Sequence, residues 1–303
     1  MTKKEITSLI DQIASNRSRI YFSGAEVFSR RDAIDIIEYA SNKGIPVALT
    51  TNGTLIDDKT SRRLSQLSKL RLNFSIDGPE DVHDKIRGTG NYKKTISTIE
   101  RIVAYRSNKN SPVITTNTTF SPEILGRTTE MIHHLSRTGV DSISFQHLWF
   151  TSENRINYNN QILLRRFKIL NDNGPKSHLI TTFSADYIDK LSEEVSLLQT
   201  KRYEVPVRVN PRLTKDEVVK YYYDLNFTVK KFCDIPWNKI LIKANGDALF
   251  CPDEWITEFK LGNVREASLL DLWNSEQAKI FRQSMLRDGL LPVCARCCSI
   301  NMS

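Results

Sequence analysis

Three cysteines stand within five residues near the end of the chain, Cys294, Cys297 and Cys298 in "LPVCARCCSI", and two more precede them at Cys233 and Cys251. The first 232 residues contain none. Thiols crowded into one end of a chain do not read as a disulfide framework, and thiolates gathered this way more often hold a metal. Two centres take four thiolates: tetrahedral zinc and an iron–sulfur cluster. The Cys-x-x-Cys at 294–297 serves either. Cys233 and Cys251, with 17 residues between them, are spaced more widely than the tight knuckles of structural zinc sites, which leans toward a cluster. Unliganded buried cysteines, behaving as small hydrophobes, are the bland alternative. Five at converging positions argue against it.

Convergence depends on the elements between them. "KILIKANGDALFC" reads as two extended runs joined at Asn245-Gly246, a hairpin signal. A two-residue turn sets Ala244 against Asp247 and Ile240 against Cys251. Pro236 lets the chain fold back, so that Cys233 and Cys251 share one end of the hairpin. "SLLDLWNSEQAKIFRQSML" reads as one helix, with Ser268 and Asp271 as a capping pair and Leu269, Leu272, Trp273, Ile280 and Phe281 on its apolar face. Gly289 ends it and the chain returns to "CARCC". The expected ligands are Cys233, Cys251, Cys294 and Cys297, with Cys298 as a spare or substitute.

Ahead of this tail the pattern is different. Over residues 1–150, helices at about 3–15, 30–43, 57–67, 91–107 and 122–138 alternate with the strands "SRIYFSG", "PVALTTNG", "KLRLNFSIDG", "PVITTNTTF" and "SISFQHLWF". This is the signature of βα units and a parallel sheet, with strands expected to be apolar because both faces are covered. Glu26, Thr50, Thr51, Asn52, Ser75, Asp77, Asn117, Gln146 and His147 cluster at the C-terminal strand ends, the edge where such sheets place their sites. Each taken singly reads as a cap or turn residue. Residues 151–231 hold helices around 160–171 and 185–200, a short strand "VPVRVN" and a helix bearing "YYYD". The expected division is a partial barrel over 1–150, a helical linker completing the barrel edge over 151–231, and a cysteine-rich domain over 232–303.

Hydrophobic residues make up 40% of 303, enough for a sizeable core. The formal charge of +8 is spread over many short basic pairs, which reads as a basic surface rather than a nucleic-acid site. No apolar run reaches the roughly 20 residues of a membrane span, and "MTKKEITSLIDQIA" reads as an amphipathic helix rather than a signal peptide. A cytoplasmic protein is expected.

Taken together, "CDIPWNKILIKANGDALFCPDE", "LGNVREASLLDLWNSEQ" and "CARC" resemble, in this order, the C-terminal SPASM or twitch extension of the radical S-adenosylmethionine (SAM) superfamily. Cys233, twelve residues, Gly246, four residues and Cys251 fit that family's Cys-x(9–15)-Gly-x4-Cys. The resemblance implies one [4Fe–4S] cluster in place of zinc. "SGAEVF", "ALTTNGTLID" and "FSIDGPEDVHDKIRG" are similar to the superfamily's partial barrel. By that resemblance Glu26 would meet the methionyl amine of SAM, and Ser75 and Arg87 its polar and carboxylate groups. A carboxylate suits an ammonium, and a guanidinium fork suits a carboxylate. The residues alone equally allow Arg87 an ordinary ion pair with Glu80 or Asp84.

The departures shape the functional expectation. The superfamily's Cys-x3-Cys-x2-Cys loop and first strand have no counterpart before Cys233, Ala25 replaces a glycine, and Val27 replaces a proline. The resemblance therefore implies an iron–sulfur protein that does not cleave SAM by itself and whose SAM site is weak or lost. It would be either a truncated maturase acting on a peptide, protein or small metabolite, with a reductant or partner enzyme, or a degenerate non-catalytic relative. A zinc-stabilised interaction protein on an α/β scaffold is the alternative.

Overall fold

The structure, a computed structural model, describes residues 1–107, 112–171, 178–180, 182–251 and 256–297. Two compact units divide the chain. One is built from residues 2–148 and 193–212, the other from Met1, 149–192 and 213–303.

The first unit contains a six-stranded sheet: β1 (Ile20–Phe22), β2 (Val47–Thr51), β3 (Leu70–Ser75), β4 (Val113–Thr119), β5 (Ser142–Gln146) and β6 (Val207–Asn210). The strands lie in sequence order and every pair is parallel. All six runs expected as strands are strands. Helices α1 (Lys3–Ile13), α2 (Ala33–Asn42), α3 (Asp58–Ser65), α4 (Glu80–Arg87), α5 (Asn91–Tyr105) and α6 (Thr128–Arg137) alternate with β1–β5. This is the α/β architecture expected of an incomplete (β/α) barrel. Local chemistry explains the helix starts. Thr2 and Glu5 form a capping box on α1, and Asp57 accepts from the Thr60 amide on α3.

The strands are not apolar on both faces, contrary to expectation. Leu49, Leu72, Phe74, Ile114, Ile143 and Phe145 are buried on one face. The alternate positions are polar and bonded to one another. Tyr21 Oη and Thr50 Oγ1 lie 2.6 Å apart, Asn73 Nδ2 donates to Thr50 Oγ1 at 3.3 Å, and Thr115 Oγ1 donates to Asn73 Oδ1 at 3.0 Å. The run "RLNFS" carries this period of two, which separates a packed face from a polar one, whereas in "TTNTT" the buried Thr116 and Thr118 put threonine on the packed face as well.

The rest of the chain forms α7 (Glu153–Phe167), α8 (Ala185–Thr200), α9 (Lys215–Tyr223), α10 (Ile235–Asn238), α11 (Leu269–Trp273) and α12 (Glu276–Asp288). With them is a small antiparallel sheet of β7 (Leu241–Ile242), β8 (Asp247–Leu249) and β9 (Gly262–Asn263). The hairpin register differs from the expected one. Leu241 pairs with Leu249 and Ile242 with Ala248, so the loop is the three residues Ala244–Gly246 and continuing the register sets Phe250, not Cys251, opposite Ile240. Lys243 N donates to Asp247 O at 2.8 Å, and Gly246 sits at φ +92°. This is the three-residue loop that closes on a left-handed residue, which Asn-Gly serves as readily as the two-residue turn. The expected single helix after residue 268 is two, because Ser275 accepts from the Ala278 amide and starts α12 afresh. Ser268 caps α11 through the Asp271 amide, as expected. No helix among the described residues is long and apolar enough to cross a membrane.

Candidate metal centre and sheet-edge site

Cys233 lies just ahead of α10, and Cys251 two residues beyond β8. Cys294 sits in a short 3-10 turn, Pro292–Arg296, which Cys297 ends by donating its amide to the Cys294 carbonyl at 3.2 Å. The four cysteines line one cavity, together with Pro236, Phe250, Ile256, Met285 and Leu291. Cys294 and Cys297 are buried, Cys233 and Cys251 half-buried, and none of the four is in a disulfide. Burial pushes the Cys233 thiol up, opposed by the Ile235 amide that it accepts from. Cys298 lies outside the described residues.

The donor set tests what such a cavity can take. Among the described residues its lining has thiols and apolar side chains but no carboxylate or imidazole, which suits a centre held by thiolates alone. Among the described residues no three Cys, His, Asp or Glu side chains are grouped to hold a single metal ion. A tetrahedral zinc draws four sulfurs to about 2.3 Å from one point, whereas a cubane spreads its thiolates over four irons.

Three arginines that the sequence reading passed over fix the segments around this cavity. Arg296, inside the Cys-x-x-Cys, is 3% exposed. It donates to the carbonyls of Phe227 (2.7 Å), Asp224 (2.6 Å), Leu225 (3.1 Å) and Tyr221, and lies over the rings of Tyr221 and Phe150. It thereby ties the cysteine turn to the carbonyl end of α9. Burial lowers its pKa to about 10, which leaves it charged at neutral pH. Arg155, on α7, donates to the Pro292 carbonyl at 2.6 Å and to Asn226 Oδ1 at 3.1 Å. Arg282, on α12, donates to the carbonyls of Pro236 (2.9 Å) and Trp273 (2.8 Å) and lies over the Phe250 ring. The position of Arg296 between two cysteines was the one local signal available. Nothing in the sequence near Arg155 or Arg282 marks them.

At the sheet edge, the sequence-predicted residues are engaged within the chain. Glu26, in the turn after β1, accepts from Thr51 Oγ1 and the Asn52 amide, each at 2.7 Å, and from the Phe28 amide at 3.1 Å. Arg87, at the end of α4, forms an ion pair with Asp77, not with Glu80 or Asp84. Asp84 instead accepts from the Gly90 and Tyr92 amides at 2.6 and 2.8 Å. Asp77 is buried, and its amide donates to Nδ1 of the buried His83 at 3.2 Å. Ser75, half-buried at the end of β3, stands in register with Asn117. No hydrogen bond or ion pair joins Glu26, Ser75 and Arg87 to each other among the described residues. His83 was missed because α4 itself was missed.

Comparison with known proteins adds the family. Residues 1–135 match the model of the radical SAM superfamily, and residues 233–298 match that of an iron–sulfur cluster-binding domain, SPASM. The Fe-coproporphyrin III synthase of Methanosarcina barkeri is 37% identical over 89 residues, covering 29% of this chain and 22% of that protein. The tungsten-containing aldehyde ferredoxin oxidoreductase cofactor-modifying protein of Pyrococcus furiosus is 24% identical over 296 residues, covering 92% of this chain and 73% of that protein. The chain thus spans under a quarter of the first of these relatives, and 30% of a Methanosarcina barkeri AdoMet-dependent heme synthase. Among solved structures, Streptococcus suis SuiB bound to S-adenosylmethionine superposes with a TM-score of 0.67 at 13% identity, covering 98% of this chain and 65% of SuiB. SuiB bound to its precursor peptide SuiA gives 0.65 at 14% identity, covering 98% and 64%.

Proposed function

The chain belongs to the radical SAM superfamily and carries a C-terminal SPASM iron–sulfur domain, and on that premise we propose that its tail holds one [4Fe–4S] cluster through Cys233, Cys251, Cys294 and Cys297. The observation that carries this is the cavity that all four cysteines line together. When bound, such a cluster supplies one-electron transfer or structural support. What the chain's own residues do is bring two distant segments together and exclude water with Phe250, Met285 and Leu291. Zinc is the second reading. Metal analysis of the anaerobically purified chain separates the two.

The protein acts as, or together with, a maturase-type oxidoreductase on a peptide, protein or small metabolite. The SuiB complex with a precursor peptide favours the peptide. In the sheet unit, Glu26, Ser75 and Arg87 would contact the amino-acid end of SAM. Glu26 already accepts from Thr51 and Asn52, and Arg87 already pairs with Asp77, and this competition supports weak binding. The five cysteines, all at or after 233, include no Cys-x3-Cys-x2-Cys, and four thiolates on one cluster leave no open iron for SAM. These 303 residues are therefore expected to form no 5′-deoxyadenosine from SAM after reconstitution with a strong reductant. Cluster-dependent 5′-deoxyadenosine above a Cys251→Ser control would overturn this reading.

A further inference from the structure

We propose that Arg155, Arg282 and Arg296 are positioning residues that supply the positive charge a thiolate-ligated cluster requires; this rests on reading the four cysteines as its ligands. A guanidinium taken out of water normally finds a carboxylate, because an uncompensated buried charge is costly. None of these three does so among the described residues. Their partners are backbone carbonyls and one amide oxygen.

The pattern has a direction. Each guanidinium grips a segment that carries or lines the cysteines: Arg155 the Pro292 carbonyl, Arg282 the Pro236 carbonyl, Arg296 the turn it belongs to. With neutral thiols, none of these three guanidiniums has an ion-paired carboxylate among the described residues. Four thiolates around a [4Fe–4S]2+ core carry about two negative charges, and one more when reduced. The arginines therefore balance the cluster, and they favour its reduced form most, since reduction adds the further negative charge. Loss of a cation should make the reduction potential more negative.

The test is anaerobic reconstitution of the full chain and of Arg155→Gln, Arg155→Lys and Arg282→Gln, with iron and sulfide analysis and a redox titration followed by electron paramagnetic resonance. Arg296→Lys is added as the most buried position, and Arg155, half-buried, keeps the test readable if that variant fails to fold. The Gln variants should show a more negative potential, or lose iron that Arg155→Lys retains, while Arg155→Lys keeps a potential near that of the parent. A purely structural role would instead lower the melting temperature of Arg155→Lys and Arg155→Gln alike and leave the potential unmoved. Full iron content with an unchanged potential in both Gln variants overturns the proposal alone. Failure of the parent chain to take up iron removes the cluster reading itself, and the proposal with it.

Discussion

The edge of the parallel sheet and the cysteine cavity handle charge in opposite ways. At the sheet edge, carboxylate meets hydroxyl, amide or guanidinium: Glu26 with Thr51 and Asn52, Asp77 with Arg87. At the cavity, the hydrogen-bond partners of three guanidiniums among the described residues are carbonyl and amide oxygens, and the four cysteines line one space. The first arrangement is complete with the residues of the chain. The second brings four cysteines to one cavity, with guanidiniums bonded to the segments that carry or line it. Mutations at the edge should therefore change stability, and mutations at the cavity should change metal content.

The largest effect is expected at the cavity. Cys251→Ser or Cys294→Ser should drop iron from about four per chain to a small residue, as a four-thiolate cluster requires. Cys298→Ser should retain iron better than Cys297→Ser. Colorimetric iron and sulfide assays after anaerobic reconstitution decide both, and the reverse order at 297 and 298 would move the fourth ligand. At the edge, Arg87→Leu should leave iron content unchanged and cost about 1–2 kcal/mol in urea denaturation. The cost stays low because the Arg87 side chain is 37% exposed, although the Asp77 carboxylate is only 11% exposed.

A pH dependence sharpens the same contrast. Burial lowers the pKa of His147 to about 3 and that of His83 below its ordinary value. For each, the unfolded chain binds a proton more readily than the folded one as pH falls below about 6.5. Stability present at pH 7 is thus lost on acidification, through the window between the unfolded value and about 3 for His147. Replacing His147 with Gln should remove about 1 kcal/mol of the stability difference between pH 7 and pH 5.5. Urea curves at the two pH values measure it, and an unchanged difference would remove His147 from the account. The smallest effect belongs to the hairpin loop. Gly246→Ala adds a methyl about 2.7 Å from Asn263 Oδ1 at φ +92°, and should cost about 1 kcal/mol. Thermal melts of the apo chain would show it, and an unshifted melt would contradict the three-residue loop.

Much of this was legible in the chain itself. The six strands announce themselves as short β-branched or aromatic runs bounded by glycine, proline or asparagine, and alternation with helical stretches fixes their parallel order. The convergence of Cys233, Cys251, Cys294 and Cys297 could be argued from one hairpin and one helical return. Other features were hidden for physical reasons. Helix α4, "EDVHDKIR", has too few apolar residues to show a period. Helix α7 begins in "ENRINYNNQ", whose asparagines are weak helix formers overridden by packing of Ile156, Asn159, Ile162 and Leu163. The hairpin register depends on whether Asn245-Gly246 closes a two- or a three-residue loop, which those residues alone leave open. Arg87 chose Asp77, ten residues away in sequence, because the end of β3 is folded beside the end of α4. A buried arginine that bonds carbonyls has no local sequence signature at all.

The proposed occupant of the cysteine cavity is one four-iron cluster. Its most direct test is metal and sulfide analysis of the full chain, purified without oxygen and reconstituted, alongside its electronic and Mössbauer spectra. The account predicts about four iron and four acid-labile sulfide per chain, in a single [4Fe–4S] species. Stoichiometric zinc with no cluster uptake would contradict it.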